Sequence, residues 1–270
     1  MFIRGSKGEL MLARIDREDF SELKQKHHEL VSQFPLINGV LSGVQHGLVY
    51  ADARHDSFYV CTKSGFGLVH TPDAIGKEFL DFLLQNKEIP EYIHLYRPDD
   101  SFQKHLEANW PKFKVRRRVQ YRNYNRDLYH EYKELLPAGY DTATVPQLDF
   151  DKLEKAFGLN FASRYWNSKE AFLNNAVGAC IVDEHREPVA ICYSACVVEG
   201  IAEVDTLVLP EHRGKRFLRI VSAAYFNQTI NKNLVAHWDA FIENSPSYVI
   251  GRKFDLTQIQ EYDLLSVFLR

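Results

Sequence analysis

Glu203 and Asp205 stand two apart in the run IAEVDTLVLP. A strand through that run puts both carboxylates on one face, about 6.6 Å apart. Such a pair can exchange protons or hold a cationic group, or it can be plain surface charge and salt-bridge partners. Directly downstream, EHRGKRFLRIV sets Arg213, Gly214, Lys215 and Arg216 where a strand hands over to a helix. The first turn of a helix leaves amides without intrahelical acceptors, and the aligned peptide dipoles add positive charge there. Gly214 lets the backbone come close to a guest. The guest that suits this arrangement is an anion, a phosphate or pyrophosphate. A basic helix start on the surface is the plainer alternative. It sets cations against the dipole, however, and an anion in the gap resolves that conflict.

The elements that must hold these residues follow from periodicity. Residues 16–34 predict a helix with Phe20, Leu23, His27 and Leu30 or Val31 on one face. Strands are expected at 46–53, at 56–72 with a turn at Lys63–Gly65, at 91–98 and at 113–124. A helix is expected over 71–87, with Thr71 as N-cap, Pro72 at its first position, and Ile75, Phe79, Phe82 and Leu83 on one side. A short helix covers 100–110. In the second half, helices are expected at 148–157 and from Ser168, then a hairpin over 177–200, a strand at 201–210, a helix at 214–233 with Phe217 and Ile220 inward, a strand at 234–242, a helix at 245–254 and a last strand at 262–269. Prolines and turn formers between 125 and 150 place a domain boundary, giving an α/β domain at 1–127 and a second at 128–270. No letter-by-letter repeat relates the halves, and a duplicated fold stays open.

Composition narrows the function classes. The chain has 270 residues, 45% apolar and 26% charged, enough for a substantial core. A net charge of −3 gives no general nucleic-acid footprint. The basic run KFKVRRRVQYRNY partly alternates with apolar residues, as on a solvated strand face; an anion-binding patch is the other reading. No apolar run approaches the 18 or so residues of a membrane span, and the N-terminus lacks a signal-peptide core, so the expected location is the cytoplasm. Cys192 and Cys196 lie about 13 Å apart on a strand, too far for a disulfide. All four cysteines read as small buried hydrophobes. His27, His28, His185, His212 and His237 show no metal-ligand spacing, and no metal is expected. His212 reads as a phosphate contact or a surface histidine. P-loop, nucleophile-elbow and catalytic-cysteine patterns are absent from the sequence.

TLVLPEHRGKRF resembles the strand–loop–helix signature of the GNAT superfamily of N-acetyltransferases, in which a run like LAVxPxYRGKGxG binds the pyrophosphate of acetyl-CoA. AHWDAFIENSPSYVIGRKFDL resembles the family's later strand and helix, and the Trp-Asp pair with EVDT resembles the zwittermicin-resistance-type subfamily. The resemblance covers about 128–270. It implies a mixed, mostly antiparallel sheet flanked by helices, with an N-terminal α/β domain as a candidate degenerate copy. It also implies transfer of an acetyl group from acetyl-CoA to an amine-bearing small molecule by direct attack. By resemblance, Leu207 and Val208 offer amides to the pantetheine and thioester, residues Arg213, Gly214, Lys215, Arg216, Phe217 and Leu218 hold the pyrophosphate, and Asn244 and Ser247 touch the pantetheine. Glu203 is the implied base, acting through water, and Asp205 orients or binds the amine. Tyr193 and Ser194 line the cleft or are ordinary strand residues; Trp238 is core and Asp239 reaches the cleft. Arg216 stands where the pattern has Gly, Leu218 where it has Gly or Ala, and Gly251 where many members carry a Tyr general acid. Tyr248, one helical turn earlier, is the candidate substitute. A non-catalytic CoA-binding or partner-binding module is the alternative from another class.

Overall fold

A computed structural model describes residues 12–72, 76–124, 127, 129–158 and 161–270. The N-terminal segment 1–11 and Ile75 lie outside the described residues. The first part of the chain carries β1 (Ala13–Arg14), a 3₁₀ turn (Arg17–Asp19), α1 (Phe20–Lys26), α2 (His28–Val31), α3 (Pro35–Leu41), β2 (Gly47–Ala51), β3 (Phe58–Thr62), β4 (Phe66–His70), α4 (Lys77–Gln85), β5 (Tyr92–Tyr96), α5 (Asp100–Asn109) and β6 (Phe113–Asn123). The rest carries α6 (Tyr129–Lys133), β7 (Tyr140–Thr144), a 3₁₀ turn (Val145–Gln147), α7 (Phe150–Phe157), α8 (Phe161–Tyr165), α9 (Lys169–Asn175), β8 (Gly178–Asp183), β9 (Pro188–Val198), β10 (Ile201–Val208), a 3₁₀ turn (Pro210–His212), α10 (Phe217–Asn231), β11 (Val235–Phe241), α11 (Ser245–Lys253) and β12 (Thr257–Phe268). This is a mixed α/β fold whose strands pair mostly antiparallel and are flanked by helices.

Two compact units form: Met1–Arg118 with Glu261–Arg270, and Val119–Gln260. The division falls inside β6 and inside β12, not in the turn-rich stretch after residue 124. In the first unit β1 to β4 pair antiparallel, β4 and β5 pair parallel, and β5 pairs antiparallel with β12 through Leu264↔Tyr96 to Phe268↔Tyr92. In the second, β7 to β10 pair antiparallel, β10 and β11 pair parallel, and β6 lies beside β11. Both units thus share one strand plan, and each closes with a strand from the other half of the sequence.

The second unit's core explains its elements. β8 and β9 read as near-continuous apolar runs and are buried on both faces. α10 lays Phe217, Ile220, Val221, Ala224 and Tyr225 against one face, and Trp238 of β11 packs with Phe226. On the opposite face Phe172 of α9 meets Tyr193, and the Trp166 indole N–H donates to Ser194 O. Ser168 caps α9 by accepting from the Ala171 amide.

Several expectations change. The helix over 16–34 is broken at His27, whose backbone (φ −115°, ψ 26°) leaves the helical region. Its Nε2 meets the His55 carbonyl oxygen at 2.6 Å, a long-range bond that local periodicity does not show. The Thr71 hydroxyl accepts from Ser57 Oγ at 3.1 Å, and among the described residues α4 runs from Lys77 with Gly76 at its N-cap position. α10 begins at Phe217 rather than 214, and β12 begins at Thr257 rather than 262. α3, α6, α8 and β7 carry no signal strong enough to be expected. The basic run on β6 is largely engaged: Arg117 pairs with Glu261 at 3.2 Å, and Arg118 is buried over the Phe66 ring.

At Gly251, in the middle of α11, a Cβ would lie 2.4 Å from the ring of buried Tyr121. A side chain at residue 251 would therefore run into the Tyr121 ring of β6. Gly251→Ala gains about 1 kcal/mol of helix propensity but forces that ring aside. The expected net loss is about 1–2 kcal/mol, read as a lower urea midpoint with unchanged slope.

Candidate active site

The register shift between Glu203 and Val204 is taken up by β9, where Cys196 and Ser194 oppose consecutive β10 residues and Ala195 is the extra residue. Glu203 and Asp205 therefore do share a face. The opposite face of β10 belongs to α10, where the Tyr225 hydroxyl donates to Ala202 O.

β10 and β11 pair parallel at only three positions, Ile201↔Val235, Ala202↔Ala236 and Glu203↔His237. Beyond them β10 stays paired to β9 through Val208, while among the described residues no further pair joins it to β11. The two strands part at Glu203 and His237. Leu207 and Val208 lie on the parted stretch, so their β11-side edge is open to an extended guest.

Around the fork the sheet face is polar and closely packed. Glu203 is 5% exposed and His237 fully buried. His237 Nε2 lies 3.6 Å from Glu203 Oε2. Asp239, two residues along β11, joins them, and one ligand atom from each of the three lies within 4.8 Å of the others. β6 supplies donors from the far side. Arg122 Nε donates to His237 Nδ1 at 3.4 Å, and Gln120 Nε2 donates to Asp239 Oδ2 at 3.2 Å. Gln260 Nε2 donates in turn to Gln120 Oε1 at 2.8 Å, which fixes the Gln120 amide with its N–H groups toward Asp239.

Asp205 has different company. The Tyr193 hydroxyl donates to its Oδ2 at 2.8 Å and the Thr206 amide to its Oδ1 at 3.0 Å. Burial raises the Asp205 carboxyl above its ordinary range; these bonds and the Arg164 guanidinium pull the other way without overcoming it. Arg164, from α8, lies over the Tyr165 ring. An acid that already accepts two bonds has less of its carboxylate left for a cationic amine.

At the head of α10, His212 N donates to Leu209 O and Arg213 N to Pro210 O; the next backbone bonds run from Arg219 N and Ile220 N to Arg216 O. Between them, among the described residues, the amides of Gly214, Lys215, Arg216, Phe217 and Leu218 donate to no backbone carbonyl. Gly214 has φ +81° and open space where a Cβ would stand. Arg216 is the N-cap residue in the left-handed region (φ 65°, ψ 10°), a conformation that costs a non-glycine residue about 1–2 kcal/mol. Residues 213–216 are exposed and Phe217 is buried. Lys215 Nζ donates to Tyr140 OH at 2.7 Å, and His212 Nδ1 lies 3.3 Å from the same oxygen, so β7 orients both side chains. The chemistry of this stretch suits a diphosphate: amides without a backbone acceptor, a helix N-terminus and the exposed residues Arg213 and Arg216 follow one another in the chain.

On α11, Asn244 is exposed at the N-cap position. Ser247 is committed to structure, since its Oγ and carbonyl oxygen both accept from Trp238 Nε1 at 3.2 Å. Tyr248 is half-buried against the core, and Ser194 is buried, donating no side chain to the open face but accepting from the Val177 amide. From sequence His237 is noted only for lacking metal-ligand spacing and Arg122 only within the basic run, and Gln120 carries no reading of its own. Their signal is the triplet polar–aromatic–polar, Gln120-Tyr121-Arg122 and His237-Trp238-Asp239, in which the aromatic faces the core and its flanks share the other face.

Burial of Asp205 sets a pH dependence. Its folded-state proton affinity lies above the ordinary value of 3.8. Its favourable contribution is therefore complete below that value and is lost as pH rises through the raised one. Asp205→Asn keeps a carbonyl for Tyr193 and has no charge to bury. Relative to wild type, its urea midpoint is expected to rise as pH increases through the carboxylate range and then to level off.

Residues 28–265 match the family model described as GNAT acetyltransferase, a span that reaches well into the first half of the chain. The fold is similar to that of a GCN5-related N-acetyltransferase-like protein from Streptococcus suis, at 17% identity over 92% of this chain and 99% of that one, with a TM-score of 0.71. It is similar to a GCN5-related N-acetyltransferase from Sphaerobacter thermophilus, at 14% identity over 96% and 95% of the two chains and a TM-score of 0.60. It is also similar to a tandem GNAT protein from the clavulanic acid biosynthesis pathway, at 10% identity over 96% and 98% and a TM-score of 0.59. No curated protein matches the chain. Among the described residues no helix is long and apolar enough to cross a membrane.

Proposed function

The chain belongs to the GNAT acetyltransferase family, and on that premise we propose that it acetylates an amine of a small molecule, with acetyl-CoA as donor and Glu203 as base. The observation that carries this reading is the run of amides Gly214–Leu218, which donate to no backbone carbonyl at the head of α10. These amides, with the Arg213 and Arg216 side chains, would hold the diphosphate. The parted edge of β10 at Leu207 and Val208, and Asn244 at the start of α11, would hold the pantetheine. The donor supplies an acetyl group activated as a thioester. Glu203, at the fork, takes a proton from the acceptor ammonium through water and leaves a neutral amine able to attack. Asp205, with Tyr193 and Arg164 around it, orients the acceptor. Tyr248 is the proposed proton donor to the departing thiol.

The domain reading extends this. The unit Val119–Gln260 would carry the site, and Met1–Arg118 with Glu261–Arg270 would be a degenerate copy of the same fold, a reading supported by the strand plan that both units share. The Trp238-Asp239 pair and EVDT motif favour the zwittermicin-resistance-type subfamily. Four buried free thiols suit a reducing cytoplasm. The family membership does not favour a module that only binds CoA.

Calorimetry with coenzyme A and acetyl transfer to an amine panel test the proposal together. Glu203→Gln is expected to lower kcat by about 10²–10⁴-fold while leaving coenzyme A affinity nearly unchanged. Gly214→Val, strained at φ +81°, is expected to weaken coenzyme A binding about tenfold or more, for about 1–2 kcal/mol of backbone cost. No heat with coenzyme A at millimolar concentration would sink the reading.

A further inference from the structure

His237 is the fully buried neighbour of Glu203 across the parallel pair. Its two ring nitrogens meet opposite charges, Arg122 Nε at 3.4 Å on Nδ1 and Glu203 Oε2 at 3.6 Å on Nε2. A guanidinium only donates and stays protonated in proteins. Nδ1 therefore presents its lone pair, and the neutral ring carries its hydrogen on Nε2, toward the carboxylate. That tautomer also leaves Nε2 without the lone pair a metal ion would need, despite the closeness of Glu203, His237 and Asp239.

We propose that His237 is the positioning residue for Glu203: Arg122 fixes the imidazole with its hydrogen on Nε2, and that N–H holds the Glu203 carboxylate ionised and aimed at the acceptor. The inference rests on Glu203 being the base. One proton passes from the acceptor ammonium to the carboxylate, directly or through a water, giving a neutral amine and a carboxylic acid. The second amine proton leaves with the thiol, and Glu203 afterwards returns its proton to solvent. The imidazole stays neutral throughout, donating one hydrogen bond and exchanging no proton. At 3.6 Å the contact is longer than a hydrogen bond; such contacts are commonly long without ligand and shorten when substrate is bound.

The surrounding groups leave Arg122 as the fixed positive charge of the cluster. Cys196 of β9 and Tyr225 of α10 both sense Glu203, and burial pushes each of them up, so both stay neutral in the working range. Asp239 of β11 accepts from Gln120 of β6, and Asp205, two residues along β10, accepts from Tyr193.

Nuclear magnetic resonance on the full chain tests this without an acceptor. Nitrogen-15 spectra are expected to show His237 as the Nε2–H tautomer through the neutral range. Carbon-13 titration of the Glu203 carboxyl is expected to move up by about one pH unit or more in His237→Leu, which removes the donor. His237→Gln, whose amide N–H reaches the place of Nε2, is expected to restore most of that shift. The acidic limb of kcat/KM for acetyl transfer moves with it. An Nδ1–H tautomer, a Glu203 titration unmoved by His237→Leu, or stoichiometric zinc or manganese binding lost in that variant overturns the proposal. If His237→Leu does not fold, the wild-type tautomer alone decides. If no amine is acetylated, the functional reading fails while the tautomer and titration still judge the link from His237 to Glu203.

Discussion

Strands in a sheet satisfy their peptide groups on both neighbours, and here that rule is suspended at one place. β10 keeps β9 along its whole length but keeps β11 for three residue pairs only. Unpaired peptide edges are costly when dry and adhesive when wet, so a fork in the middle of a sheet needs compensation. Part of it comes from packing: Trp238 of β11 is fixed by Phe226 of α10 and by two bonds to Ser247 of α11, which holds the diverging strand in place. The rest of the site follows from where the fork lies. Glu203 and His237 are the last paired residues, so both stand at its apex.

The charges around that apex are arranged in two directed lines of donors. One runs from Arg122 to His237 and on toward Glu203; the other runs from Gln260 through Gln120 to Asp239. Each sends hydrogen-bond donors from β6 toward acids further in. Buried carboxylates are tolerated when such donors are present, and the lines leave little freedom for amide or ring orientation. Asp205, outside these lines, keeps a raised proton affinity because burial outweighs its partners. Two acids on one strand face thus acquire different chemistry from their neighbours alone.

Much of this was legible in the sequence where the determinants are local. The hairpin at 177–200, the strand expected at 201–210, Ser168 as a cap and the loop into α10 rest on turn chemistry, alternation and pairing between neighbouring segments of the chain. The Glu203–His237 contact was not, because strand register across 34 positions decides it. The break at His27 has the same origin, in a bond to His55 that tertiary structure supplies. An internal echo was hidden for another reason. LVHTPDAIGKEFL (68–80) and LVLPEHRGKRFL (207–218) share Leu-Val, Pro, Gly-Lys and Phe-Leu, but differ by one residue in spacing, which defeats letter-by-letter matching. The strands on either side, β4 with β5 and β10 with β11, are the parallel pair of each unit.

The closing strand of the first unit is separated from the rest of that unit by the whole of the second. β5 is bordered by Leu264–Phe268, and Leu265 and Val267 are buried in the same core as Phe79 and Phe102. During translation this core stays open along one edge until Leu264–Phe268 have left the ribosome, long after β5 has emerged. The nascent protein must therefore tolerate an exposed strand while the whole second unit is made, a state that invites chaperone capture and makes the slow, long-range closure of that edge a natural late step of folding.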